Sequence, residues 1–346
     1  MLSNRPVRAA LGAVAIMTLV LSTTSCALRG AGARDGDGYV LKFSHVTTTE
    51  TPKGQAAEKF KELAEAECGD QLTVEIYPNS ELYGDEDEMQ AIQSGAVQMA
   101  APASAKFTTI APQLQVLDLP FLFDTLEDVP AITAPGTPVG DAIYDNEDLA
   151  IRDIKVLGLW DNGLKVLSSN TPMATPDDLD GVKFRIQPSD VLRGQFTTWG
   201  AEATPMAFAE VYSALQQGVI DGQENPYSNI DSQKMNQVQK YVTESNHGYI
   251  GYVNVINQEF FDLLPPDVQT CVTDAAAGAA DFNRRSAAQV NEEAREAIRA
   301  SGTTEITELT DPQRQAFKDA VVPRVWKKNA DVIGQDLIDD LLAEQR

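Results

Sequence analysis

Histidine is almost missing from this chain: His45 and His247 are the only two in 346 residues. They lie far apart and neither stands at metal-ligand spacing, so a zinc-type centre has no sequence basis. Cysteine is nearly as scarce, with Cys26, Cys68 and Cys271. Positive charge is also short. Lysine and arginine number 27 against 51 acidic residues, a formal net charge of -24. That balance opposes binding to nucleic acid, whose affinity rests on phosphate neutralisation. It says little about a small ligand, which senses local charge. No P-loop and no Gly-x-Ser-x-Gly elbow occurs. Gly30-x-Gly32 does not follow a strand, so it marks no dinucleotide site. Carboxylates are plentiful but fall on helix starts and faces, which gives no support to a paired-carboxylate glycosidase. No cofactor is implied.

One apolar run stands out, residues 9–21 behind Arg5 and Arg8. It is short for a membrane span and reads as a secretory signal. Small residues lead from it to Cys26, the expected site of lipid attachment. The usual leucine three residues before that cysteine is replaced by Thr23, and an ordinary signal cleaved near Ser25 is the alternative. Residues 26–38 are rich in Gly, Ala and Asp and read as a flexible tether. Cys68 and Cys271 then remain on expected helices outside the cytoplasm, where disulfides persist. Spacing does not decide between a bridge and two buried thiols; the exported setting favours the bridge.

The remaining residues, from about 39, are enough for two domains. Residues 39–46 read as a strand. Thr51 caps a helix with Pro52 in its first turn, and Gly69 stops it. Alternation predicts a strand over 72–77, and acidic residues 85–88 open a helix ending at Gly95. Residues 97–101 form a buried strand with Lys106 close behind. Residues 116–123 read as an apolar surface segment that plugs a core. Strands are expected at 155–160 and 249–257, and residues 175–178 form a capping box. From Pro266 to about 300 no proline interrupts a helical pattern, which makes a helix of roughly 50 Å. A strand over 304–309 and two further helices complete the chain.

The richest segment is 181–226, GVKFRIQPSDVLRGQFTTWGAEATPMAFAEVYSALQQGVIDGQENP. It alternates short strands (182–186, 203–206, 219–221) with helices and ends in an expected polar turn, 222–226. That is an α/β pattern, which places ligands at strand ends. Arg185 is a lone charge on an apolar strand. Such a charge is costly without a partner, and a carboxylate fits its planar fork. Phe43 and Trp160 at strand ends are candidates for a pocket wall or for core.

Several segments, in this order, are similar to one family: FSHVTTTETPKGQAAEKF, YPNSELYGD, LDLPFLFD, WDNGLKVLSSN, GVKFRIQPSD, EVYSALQQGVIDGQENP and NHGYIGYV. The chain resembles the extracytoplasmic solute-binding subunit of a TRAP transporter, the DctP family, and most resembles its C4-dicarboxylate-binding branch. The resemblance covers nearly all of 39–340. It implies an α/β, two-lobed periplasmic-binding-protein-like fold with crossing hinge strands and a long helix packed along both lobes. The implied organisation is signal peptide 1–25, lipidated cysteine and tether 26–38, first lobe 39–157, second lobe 158–248, return to the first lobe 249–285, and a remainder 286–346 that continues the long helix and ends in the second lobe. It implies that Arg185 clamps a carboxylate, that Asn225 helps hold it, and that Lys53, Lys106 and His247 line the cleft. Lys165 stands where many sugar-acid binders carry arginine. The implied partners are a small organic acid and the small and large integral membrane subunits, with a lipid anchor on the outer face of the cytoplasmic membrane and a monomeric chain. A sensor module with the same cleft is the competing reading. An exported enzyme is the third, and no nucleophile, acid-base pair or metal has a recognisable setting for it.

Overall fold

The computed structural model describes residues 34–35 and 38–344. The expected signal sequence and Cys26 lie outside the described residues. The strands, in chain order, are β1 (Arg34–Asp35), β2 (Gly38–Ser44), β3 (Leu72–Tyr77), β4 (Met99–Ala100), β5 (Ile154–Leu164), β6 (Val166–Ser169), β7 (Lys183–Ile186), β8 (Glu202–Pro205), β9 (Gly222–Asn225), β10 (Tyr241–Glu244), β11 (Tyr249–Asn257) and β12 (Glu305–Glu308). They form two mixed sheets, and the fold is α/β. In the first, β2, β4, β11 and β5 lie side by side, with β1 and β3 also paired to β2. The second has the order β12-β10-β6-β9-β7-β8.

The chain passes from the first sheet to the second at Lys165, between β5 and β6, slightly beyond the boundary at 158 expected from sequence. It returns through residues 245–248, between β10 and β11. The two passages lie side by side: the Lys165 amide donates to the Gly248 carbonyl at 2.8 Å, and Leu164 pairs with Tyr249. Adjacent crossings of this kind are where two lobes of a binding protein hinge.

The helix Pro52–Cys68 starts where the sequence predicts. The Thr51 side chain accepts from the Gly54 amide at 3.2 Å, and Pro52 occupies the first turn. Gly54 is required by space, since an added Cβ would stand 2.2 Å from the Thr48 carbonyl oxygen. The long helix Pro266–Ser301 ends at Gly302 in the left-handed conformation, φ 66°. It serves both sheets. Asn283 accepts from the Asp161 amide and donates to the Pro52 carbonyl. About two turns along, Asn291 accepts from the Ser228 amide, and beyond it Arg295 pairs with Glu244 of β10.

Three expectations change. The strand predicted at 219–221 is instead Gly222–Asn225, the stretch expected as a polar turn, and all four residues are buried between β6 and β7. Its side chains are polar because other buried groups satisfy them, so apolar patterning could not reveal it. Residues 116–123 are not surface: a 3-10 helix, Pro112–Asp118, leads into buried Leu119–Phe123, where Trp326 donates to the Pro120 carbonyl. The C-terminal region holds three helices rather than two, Asp311–Lys328, Ala330–Ile333 and Gln335–Glu344. Phe43 and Trp160 are fully buried, with ring centroids 5.7 Å apart, as core.

Cys68 and Cys271 are joined, with Cα atoms 5.7 Å apart, tying the first helix to the start of the long one. Their separation in sequence is 203 residues, so the bond constrains a large part of the unfolded chain. Replacing both by alanine is expected to lower the unfolding free energy by about 2–5 kcal/mol. Denaturant melts of wild type and double variant, without ligand, check this; coincident midpoints would show that the bond contributes nothing.

Candidate functional site

The candidate residues converge on the region where the two sheets meet, and the structure separates them into three groups by what already holds them. The first group centres on Glu224 of β9, 2 % exposed. Lys165 Nζ donates to its Oε1 at 3.0 Å, and His247 Nε2 lies 2.8 Å from its Oε2. Ser245 Oγ stands 2.6 Å from His247 Nδ1. A neutral imidazole carrying its proton on Nε2 satisfies both contacts, donating to Glu224 and accepting from Ser245. Burial lowers the His247 pKa, against the opposing pull of Glu224, which favours that neutral form. Burial alone would raise the Glu224 carboxyl, but Lys165 and His247 outweigh it and hold it at about 2. Lys165 and His247 therefore serve this internal carboxylate. Both lie on the two passages between the sheets, so Glu224 binds the crossings to each other.

The second group is an amide ladder beside it. Asn225 donates to Gln223 Oε1 and accepts from Asn229 Nδ2 at 2.9 Å. Gln223 in turn donates to Ser168 Oγ at 2.7 Å. Asn225 is a buried strand residue, held in one orientation, and not a turn residue.

The third group gathers Lys53, Asp85, Glu88, Lys106, Arg185 and Tyr252. Lys106 Nζ lies 3.1 Å from Asp85 Oδ2, which also accepts from the Phe208 amide at 2.7 Å. The Phe208 contact joins the two sides of the cleft, as does Thr108 Oγ1 donating to the Pro188 carbonyl at 2.9 Å. Burial works against the Asp85 charge, yet Lys106, Arg185 and the Phe208 amide hold its carboxyl below the usual range.

Arg185 and Lys53 are different. Arg185 is 1 % exposed, and its Nε and Nη2 both donate to one carbonyl, that of Met206, at 3.0 and 2.7 Å. Lys53 is fully buried, donates to the Ala101 carbonyl at 3.2 Å, and lies 3.9 Å above the Tyr252 ring. Among the described residues, no carboxylate comes within 4.0 Å of either. Burial depresses both pKa values, opposed at Lys53 by the more distant Glu88 and Asp85 and at Arg185 by Asp85 and Glu224. Two buried cations without anions are costly by themselves. The arrangement suits a ligand that supplies the anions, one at a planar guanidinium and one at a point ammonium.

The cations are legible in the sequence, and the acids that sort them are not. Asp85, Glu88 and Glu224 read there only as helix-start or turn residues. Tyr252 was hidden in an apolar strand. The remaining signal was Glu-Asn-Pro after a glycine, which no local pattern distinguishes from a loop. His45 is also buried, with Nδ1 3.4 Å from Thr47 Oγ1. Burial, aided by Lys53, brings its pKa down to about 3.

The chain was compared with known proteins. The family DctP, described as bacterial extracellular solute-binding protein, family 7, matches residues 43–331. A C4-dicarboxylate-binding periplasmic protein DctP of Rhodobacter capsulatus is 44% identical over 339 residues, covering 98% of this chain and 97% of that protein. A TRAP periplasmic solute-binding protein from Shewanella oneidensis, solved with bound succinate, superposes with TM-score 0.85 at 38% identity, covering 89% of this chain and 100% of that one. One from Pseudomonas aeruginosa PAO1, solved with bound L-malate, gives TM-score 0.80 at 38% identity, with 84% and 99% coverage.

Glu224→Gln leaves Lys165 charged and buried without an anion, and is expected to cost about 3–5 kcal/mol of stability. Urea unfolding checks it; a loss under ~1 kcal/mol would mean that the carboxylate does not organise the crossings. Acid sensitivity follows from His45. Its folded pKa lies below its unfolded one, so below pH 6.5 the unfolded chain takes the proton first. The His45 contribution to stability is expected to be level above that pH and to fall by up to roughly 1.4 kcal/mol per pH unit towards about pH 3. His247 adds in the same direction. His45→Asn should remove this contribution, read as the difference between the variant and wild-type urea-melt profiles from about pH 7.5 to 5, and an unchanged slope would remove His45 as a cause.

Proposed function

The chain belongs to the DctP family of bacterial extracellular solute-binding proteins, and from that premise we propose that it captures a C4-dicarboxylate outside the cytoplasm and delivers it to a TRAP-type membrane permease. The observation that carries this reading is the pair Arg185 and Lys53. They are buried cations on opposite sides of the cleft, and among the described residues neither has a protein carboxylate within 4.0 Å. A four-carbon diacid presents one anion to each. Tyr252 stands beside both, beneath Lys53 and within electrostatic reach of Arg185. Asn225, locked by its amide neighbours, adds a fixed hydrogen-bonding group near the Arg185 end. Lys106 acts through Asp85, which it holds in place.

The work asked of this site is binding with closure. The cleft residues are buried and the Asp85–Phe208 and Thr108–Pro188 contacts join its walls, which describes a closed arrangement. Hinge opening at the adjacent crossings exposes the cations to water. A ligand that touches both sides then favours closure, because only the closed form gives it both partners. The small and large integral membrane subunits receive the closed complex and supply the energy for uptake. Lipid attachment at Cys26 and a monomeric chain complete the reading. The first is supported by the run of small residues before that cysteine.

Calorimetry with succinate, malate, fumarate and butyrate tests the site. Arg185→Lys keeps the charge and loses the fork, and is expected to weaken succinate by about tenfold or more. Lys53→Met should weaken succinate by a further order of magnitude, and by more than it weakens butyrate. Unchanged succinate affinity in both variants would overturn the site, and equal losses for both ligands would overturn the second pole.

A further inference from the structure

Two carboxylates reach the cleft from the segment before and within the short helix Glu88–Gln93, and they are treated differently. Asp85 is ion-paired to Lys106 and accepts a backbone amide. Glu88 is 1 % exposed, its Oε1 has no hydrogen-bond partner, and among the described residues no Lys, Arg or His nitrogen lies within 4.0 Å of it. An ionised carboxylate in that setting has no counter-charge within 4.0 Å, and one of its oxygens lacks a donor. A neutral carboxyl needs no counter-charge, and burial costs it far less. The groups facing it are Lys53 from the first helix, Asp85 from the preceding turn, Lys106 from the 3-10 helix Ser104–Phe107, and the Tyr252 hydroxyl from β11. Ser44 of β2 stands beside it, and β4 contributes no titratable group.

The charge count is decisive. With Glu88 neutral, the cations Lys53, Lys106 and Arg185 face the single anion Asp85, a surplus of two positive charges that matches a dicarboxylate dianion. With Glu88 ionised the surplus is one, and the bound complex would hold an uncompensated negative charge in a buried site.

We propose that Glu88 sets the charge of the cleft: it carries a proton when a dicarboxylate dianion is bound, so capture of the ligand takes one proton from solution, and the neutral carboxyl favours dianions over monoanions. The proposal rests on the dicarboxylate reading above. In the open form Glu88 meets water and ionises in the ordinary range. Closure buries it, and that burial raises its carboxyl to about 8, against the pull of Lys53. The incoming dianion adds like charge and drives it further the same way. Proton uptake therefore accompanies binding at any pH between the open and closed values.

Succinate is the probe, titrated calorimetrically at about pH 6.5 to 7.5 in buffers of different ionisation enthalpy, where it is a dianion and linkage is greatest. Wild type is expected to take up close to one proton per succinate, and to lose up to about tenfold in affinity per pH unit as pH rises. Glu88→Gln should take up none, show no such pH slope, and exceed wild type in affinity at the alkaline end. Glu88→Met serves as a second variant with the same expected proton count. Wild type that binds succinate without buffer-dependent heat overturns this inference alone. So does uptake that persists undiminished in either variant. Wild type that binds none of succinate, malate or fumarate overturns the dicarboxylate reading as well.

Discussion

One buried carboxylate holds the two halves of this molecule in register. Glu224 lies in the middle of the second sheet, yet its two oxygens reach Lys165 and His247, which stand on the two passages between the sheets. Removing three such groups from water is expensive, and their mutual attraction repays it only when every donor and acceptor is met. Here the Lys165 ammonium, the carboxylate, the imidazole and the Ser245 hydroxyl form a satisfied chain. The backbone bond from Lys165 to Gly248 lies alongside it. The hinge is thereby defined by side chains as well as by strand order. Asn225, the next residue along β9, inherits its position from this arrangement.

A second consequence is a division of labour among cations. Lys165 and Lys106 neutralise the protein's own acids, Glu224 and Asp85. Among the described residues, Arg185 and Lys53 have no carboxylate within 4.0 Å. The chain carries a formal net charge of -24, while the cleft is locally positive. Field strength at a ligand depends on the nearest desolvated charges, since surface charges are screened within about 10 Å at ordinary ionic strength. An acidic protein can thus bind an acidic ligand without contradiction. The internal acids also tune the site: each one present removes a positive charge from the count that the ligand must match.

The long helix performs a mechanical role in the same scheme. Its first turns are tied to the helix Pro52–Cys68 through Cys271, its middle to Asp161 through Asn283, and its later turns to β10 through Arg295. Contacts to both sheets from a helix with no interior proline allow bending and resist separation. Lys53 follows Pro52, whose carbonyl Asn283 holds, so the helix also fixes one wall of the cleft.

Amino-acid order by itself determined the local features. The strands Leu72–Tyr77 and Tyr249–Asn257 and the helix Pro266–Ser301 end where alternation, caps, proline and glycine place them. These signals act between residues a few positions apart, and they survive any change in the rest of the chain. The string of family motifs, with Arg185 as the conspicuous buried charge, was legible in the same way. Tertiary structure alone decided which candidate cations are paired to the protein's own acids. Lys165 and Glu224 are 59 residues apart, His247 and Glu224 are 23 apart, and Asp85 meets the Phe208 amide across 123. Nothing local distinguishes a lysine that will find an internal carboxylate from one that will not. The strand Gly222–Asn225 reads as a loop for the same reason: its polar side chains are compatible with burial only because distant partners arrive to satisfy them.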